Sequence, residues 1–525
     1  MSIHPRKLLI LSHRWLGIPM SVLFVLWFAS GIVMIHTGGM PELTESERIT
    51  RADPLDLDAV RVSPIEAAEQ AFVGDTYPGP VTLLTVLGRP AYRFGRGPWS
   101  VTVFADTGEL LEPLSPDELR KLAARYAGVS DERVHHVATL ESPDQWTLTR
   151  PRDLPLEKFR VDDASRTEIY ASPTLGEVVL ATTQRDRWLA WAGAIPHWFY
   201  VTPLRVNQPA WYWTVVVASA VGCVLAVLGL VLAVTQFRPT KPFRLSASIR
   251  YRGLMRWHYI LGALFGALTL TWAFSGMLSM EPFGWTRAEG FTFPSDALSG
   301  GPLELGHYEI SAARFARVLD RRVPKEIELL RIQDEPYYRL RYTAAPSEGG
   351  EQAQPTSAYR GEAPAALVRA ADMAELRRPF EAEPILARLR KALPTDIDIV
   401  AATRLDAYDA YYYARDGEAP LPVLRVELDD PLETWVYVDL ESSRIVAHVH
   451  RWRRLERWLF NGLHSLDFAF WYDRRPLWDI GMILLNLGGL VMSAIGLVLG
   501  ARRIGRIVTK RTAASRLQAG APLRQ

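Results

Sequence analysis

The chain is almost without cysteine. Its one thiol, Cys223, falls inside a long apolar run. That excludes an internal disulfide, a Cys-based zinc site and a Cys-x-x-Cys-His segment for covalent haem attachment. Acidic residues are missing from three places: the N-terminus ahead of Leu8, the stretch 236–253 and the tail from Ala501. Together these hold fourteen Lys and Arg and no Asp or Glu, so against a net charge of +2 the rest of the chain carries −12. No Gly-rich dinucleotide fingerprint follows a strand, and the basic segments are too short to fold a flavin or nicotinamide domain.

What the chain has instead is length and segregation. Its 525 residues suggest several domains. Four apolar runs, 8–36, 211–235, 254–280 and 477–500, stand apart from two polar blocks, 37–210 and 281–476. Each run matches or exceeds the ~20 residues that cross a bilayer as a helix. The first is longer than a signal-peptide core and resembles the third, which lies mid-chain, so it reads as an uncleaved helix. The positive-inside rule puts the termini, the connector 236–253 and the basic tail 501–525 in the cytoplasm. Both polar blocks then lie outside, in a bacterial periplasm. The expected location is the inner membrane, multi-pass, with the lipid bilayer as partner and no nucleic acid.

The sequence also repeats itself. Moved forward by 267 positions, 162–232 falls on 429–499 without a gap, pairing Tyr170 with Tyr437, His197 with His464, Trp211 with Trp478 and Gly222 with Gly489. A second register, 245, pairs His13, Gly17, Trp27, Ser30 and Gly31 with His258, Gly262, Trp272, Ser275 and Gly276. Such self-similarity is a primary signal of architecture. It predicts a tandem duplication of helix, domain, helix: a four-span α-helical membrane bundle with two α+β extracytoplasmic domains.

Within the polar blocks, Ser63-Pro64 and Ser115-Pro116, each followed by acids, open helices as cap, proline and first turn. Alternating runs at 91–94 and 100–104 and the turn Asp106-Thr107-Gly108 read as strands. Pro336-Tyr337-Tyr338-Arg339 echoes Pro90-Ala91-Tyr92-Arg93, and the polar stretch 344–354 reads as a loop. With His13-Arg14-Trp15-Leu16-Gly17, Ser30-Gly31 and their echo at His258, the chain resembles the PepSY-associated transmembrane family over nearly its whole length. That family includes iron-uptake-linked inner-membrane proteins, some of them haem-containing reductases of ferric siderophores. The resemblance implies two PepSY-like periplasmic domains and admits non-covalent haem b.

Eleven histidines are the candidate ligands. Lone histidines at helix ends are usually packing residues, whereas ionisable groups inside spans suggest function. Two neutral imidazoles on one haem iron suit electron transfer. His13 and His258, on repeat-related helices near the cytoplasmic end, are the first pair. Gly17 and Gly262 lie at i+4 from them, to admit a flat macrocycle, and Arg14 and Arg256 lie near for its propionates. His197 and His464 form a second pair at the outer interface, among tryptophans that fit an interfacial belt equally well. His36 is an alternative outer ligand without a histidine counterpart. His135 and His136 read as exposed loop residues, His448 and His450 as sharing a strand face, and His4 and His307 as surface residues.

The expectation is a protein with two haems that passes electrons from a quinol or a separate donor to a periplasmic ferric siderophore or similar ferric complex. No catalytic residue is singled out. The alternatives are a non-enzymatic protein whose periplasmic domains bind a peptide or protein partner, and, less well supported, a transporter.

Overall fold

The computed structural model describes residues 5–320, 322–342, 365–413 and 419–519, with side chains of the last segment to 509. His4 and the loop expected at 344–354 lie outside the described residues. The chain forms two compact units. One comprises Met1–Gly39, Leu189–Arg287 and Leu455–Gln525; the other comprises Met40–Trp188 and Ala288–Arg454.

The first unit is helical. Four helices are long and apolar enough to cross a membrane: Pro5–Thr37, Gln208–Gln236, Gly253–Leu278, and Leu477–Thr509 within the longer helix Leu477–Ala519. Each satisfies its backbone internally, as hydrocarbon requires. The second helix starts where Asn207 accepts a hydrogen bond from the Ala210 amide and Pro209 occupies the first turn. The first helix packs chiefly on the fourth, and the third chiefly on the second, with the third also against the fourth.

Glycines make this closeness possible. A Cβ at Gly222 would stand 3.2 Å from the Phe24 ring, and one at Gly489 would run into the ring of Phe28. Both rings belong to a buried cluster with Met20 and Leu225. Small residues at such contacts let helices approach where no hydrophobic force drives them together. Gly489→Leu is therefore expected to overpack the bundle by about 1–3 kcal/mol. Its melting temperature in detergent should fall by several degrees, while Gly505→Ala, with nothing within 4 Å of its Cβ, should leave it unchanged.

The polar blocks are shorter than the sequence suggests at their C-terminal ends. Residues 189–210 and 455–476 fold with the helices. The reason is local: these stretches carry apolar and tryptophan side chains, and the indole Nε1 of Trp211 donates to the Trp198 carbonyl at 2.7 Å. Trp478 does the same to the Ser465 carbonyl at 3.1 Å.

The second unit is α+β. Its first segment supplies β1 (Thr76–Tyr77), β2 (Val81–Val86), β3 (Arg89–Phe94), β4 (Val101–Phe104), β5 (Val134–Leu140), β6 (Leu156–Val161), β7 (Glu168–Ser172) and β8 (Glu177–Thr182). The second supplies β9 (Leu303–Glu304), β10 (Pro324–Ile332), β11 (Glu335–Tyr342), β12 (Ala365–Arg369), β13 (Ile399–Leu405), β14 (Val423–Leu428), β15 (Trp435–Asp439) and β16 (Arg444–Val449).

Strands β5–β8 and β13–β16 form two four-stranded antiparallel sheets, each in sequence order. The helix Pro116–Ala127 lays Leu119 and Ala123 on Phe159 and Ile169 of the first sheet. Ala382–Ala392 lays Ile385 and Leu389 on Val426 and Val436 of the second. The Ser63 and Ser115 signals form capping boxes with Glu66 and Glu118.

A departure from two separate domains lies in the six-stranded sheet, ordered β12-β11-β10-β2-β3-β4. Strand β10 pairs antiparallel with β2, setting Ile327 opposite Leu83 and Leu329 opposite Val81. The two segments therefore share one sheet and one core, in which Leu83, Tyr92, Phe315, Ile327, Leu329 and Tyr338 are buried. Alternation along β10 turns Glu326 and Glu328 to the other face.

Candidate functional site: two histidine pairs in the helical unit

Four half-buried histidines meet in two pairs. His13 of the first helix and His258 of the third have ring centroids 6.4 Å apart and ring planes inclined by 45°. His197, in the short helix Ala194–Trp198, and His464, in the π-helical stretch Arg457–Ser465, have centroids 6.1 Å apart and planes inclined by 80°. Short π-helical stretches recur at functional sites because they re-aim a side chain.

The hydrogen bonds fix which nitrogen is basic. Ser30 Oγ lies 2.6 Å from the Leu26 carbonyl, to which it donates, and 3.0 Å from His197 Nδ1. With its one proton on the Leu26 carbonyl, the hydroxyl accepts from the imidazole Nδ1–H, and the ring's lone pair then lies on Nε2. His464 repeats this with Ser275 at 2.9 Å, and Ser275 Oγ lies 3.2 Å from the Trp272 carbonyl. His258 Nδ1 faces the Met492 carbonyl at 3.3 Å, which sets the same tautomer. Among the described residues, His13 Nδ1 is buried and falls outside hydrogen-bond geometry, lying toward the Leu225 backbone.

Glycines lie against all four rings. A Cβ at Gly229 would be 3.1 Å from His13 Cε1, and one at Gly496 would be 3.3 Å from His258 Cε1. A Cβ at Gly31 would be 3.6 Å from His197 Cε1, and one at Gly276 the same distance from His464 Cε1. At Gly17 and Gly262, which the spacing places beside the first pair, an added Cβ would instead meet Leu225 at 3.7 Å and Met492 at 4.0 Å. The sequence carried a sign of the true neighbours, since Gly229 and Gly496 fall in the 267 register.

The remaining candidates fall elsewhere. Arg256 gives its guanidinium to the Ser246 and Ile249 carbonyls, both at 3.1 Å, and so holds the connector. Arg14 is half-buried without an ion pair among the described residues. His36 is exposed at the end of the first helix and makes no ring contact with either pair among the described residues. His135 and His136 are not loop residues but lie on β5, their Nε2 atoms 2.7 Å from Asp162 and 2.5 Å from Glu157. His448, on β16, is exposed, whereas His450, just past the strand, is buried. His307 sits beside Glu304 at the surface.

Chemically, each pair brings two imidazole rings together, with centroids 6.4 and 6.1 Å apart. Two imidazoles bound on opposite sides of a metal at about 2 Å place their ring centroids roughly 6 Å apart. No group of three or more His, Cys, Asp or Glu among the described residues is arranged to hold a bare ion. Such a pair would therefore suit a metal whose other ligands come from a macrocycle. The neutral tautomers and the glycine-lined rings fit that use.

Four apolar helices make the chain a multi-pass membrane protein. The model of the PepSY-associated TM region matches residues 11–503, nearly the whole chain, and the protein belongs to that family. No curated protein matches it.

Proposed function

We propose that the protein is an inner-membrane electron-transfer protein that holds two haems b and reduces a periplasmic ferric siderophore or similar ferric complex. The observation that carries this reading is the pair of facing imidazoles at each of two levels of one bundle. His13 and Ser30, which mark the two levels on the first helix, are seventeen residues apart, or about 25 Å along its axis at 1.5 Å per residue. Haem, when bound, would supply a one-electron centre at each level.

The chain's own residues do the rest. His13 and His258 would hold the inner group, and His197 and His464 the outer one, each through Nε2. Ser30 and Ser275 keep the outer imidazoles oriented and neutral, the usual task of a ligand's own hydrogen-bond partner. The apolar cluster of Phe24, Phe28 and Leu225 excludes water between the levels. The two halves descend from a tandem duplication, and the basic termini and connector face the cytoplasm with the polar unit in the periplasm. Electrons come from a quinol or a separate donor. Reduction weakens the hold of hard oxygen ligands on iron, which releases it from its carrier.

The test is the visible spectrum of the full chain purified in detergent, oxidised and dithionite-reduced. Sharp reduced bands with two haems per chain are expected. A colourless protein, prepared from cells replete with haem, sinks the proposal.

A further inference from the structure

The six-stranded sheet has a second face, and it is charged. Glu326 and Glu328 of β10 are almost fully buried there, as is Arg93 of β3. They floor a cavity of about 700 Å³ within the polar unit. Burying charge is costly unless each group is paired, and here each is. Glu326 is held by Arg48 and by Arg341 at 3.5 Å. Glu328 is held by Arg96 at 2.9 Å, Arg339 at 3.2 Å and Arg341 at 3.1 Å. Arg93 binds Glu177 at 2.5 Å. The floor is thus a preformed lattice in which every carboxylate is already neutralised.

The rim is different. Arg377, Arg378 and Arg444 line the same cavity, are exposed, and make no ion pair among the described residues. Three acids of the lining share the segments of these arginines: Glu375, which pairs with Arg322 at 3.0 Å and also feels the Arg377 charge, and Asp439 and Glu441 beside Arg444 in the β15–β16 hairpin. Asp439 accepts from Ser442 Oγ and from the Glu441 amide, the latter at 2.9 Å. Burial and the Asp439 charge raise the Glu441 carboxyl above its ordinary value. Three guanidiniums, two in the connection after β12 and one at the start of β16, present forks to an anion that carries several charged groups.

We infer that this cleft binds a polycarboxylate, either free or as its ferric complex. Guanidinium planes match carboxylates in a two-point geometry, and their spread over a connecting segment and β16 favours several carboxylates over one compact anion. The volume lies in the range of small-molecule sites. Binding here does not depend on haem, and it names a ligand class for the polar unit.

The test is calorimetric titration of the full chain in detergent with citrate, ferric citrate, triethyl citrate and inorganic phosphate. Citrate or ferric citrate should bind, the uncharged ester should not, and affinity should fall with added salt. Arg377→Ala combined with Arg378→Ala should weaken binding tenfold or more, as should Arg444→Ala alone. All these side chains are exposed, and the variants should keep the wild-type melting temperature and visible spectrum. Equal binding by the variants, equal binding of the ester, phosphate binding as tight as citrate, or no binding of either carboxylate would overturn the inference. A colourless protein that binds citrate in this way would retain it while removing the redox reading.

Discussion

Alanine at His197 is expected to remove one of two haems per chain, and alanine at His13 the other. The pyridine-haemochrome content of each purified variant should be about half that of wild type, and the double variant should have none. The argument rests on distance and on tautomer. The two levels are about 25 Å apart along the first helix, far enough that substitutions at one should add to those at the other. At the outer level the Ser30 and Ser275 hydroxyls occupy Nδ1, so Nε2 is the nitrogen that would meet iron. At the inner level Met492 plays the same part for His258. His258→Ala and His464→Ala should match their partners, whereas His36→Ala should keep both haems. A His13→Ala protein with full haem content would remove the inner pair from the site. Loss of both haems in every single variant, together with a lowered melting temperature, would mean that the histidines hold the bundle rather than a cofactor.

Much of this arrangement was legible because the chain states it twice. The registers at 267 and 245 picked out all four paired histidines, and hydropathy picked out the helices. The sequence could not say what lay beside each ring. At i+4, Gly17 and Gly262 are near their histidines along one helix, but a bundle is read across helices, and Gly229 and Gly496 come from the partners. The serines were visible in the Ser-Gly repeats, yet their role needs His197 to fold back onto the first helix, 167 positions from Ser30. The shared sheet was hidden for a similar reason. Strands β2 and β10 each look complete within their own segment, and only their pairing makes one core of two blocks. Once they pair, the polar face of β10 becomes an interior surface. That is why a run of alternating acids and aliphatics, bland in sequence, carries the most heavily buried charges of the unit.

Removing one of those charges should be costly. Glu328→Ala is expected to destabilise the polar unit by about 3–5 kcal/mol, the usual penalty for leaving buried partners uncompensated. The Glu328 side chain is only 3% exposed, and Arg339 and Arg341 are 12% and 13% exposed, so solvent screens little of the loss. Ala at the exposed Glu112 should change the melting temperature by no more than a degree. Glu328→Gln separates charge from shape, and pH gives the sign. Burial opposes the Glu328 charge, but Arg341, Arg339 and Arg96 outweigh it and hold the carboxyl below its ordinary value. A carboxylate whose folded pKa is depressed contributes stability that is complete above its unfolded value, near 4.3, and is lost as pH falls through the folded one. At pH 7 the wild type should therefore melt well above Glu328→Gln. The gap should begin to narrow as pH falls below about 4.3 and close only below the depressed folded pKa, where the wild-type carboxyl is neutral too. A gap that stays constant from pH 7 to pH 3 would mean that the amide fails through packing, and that the arginine lattice contributes little to holding the two segments in one sheet.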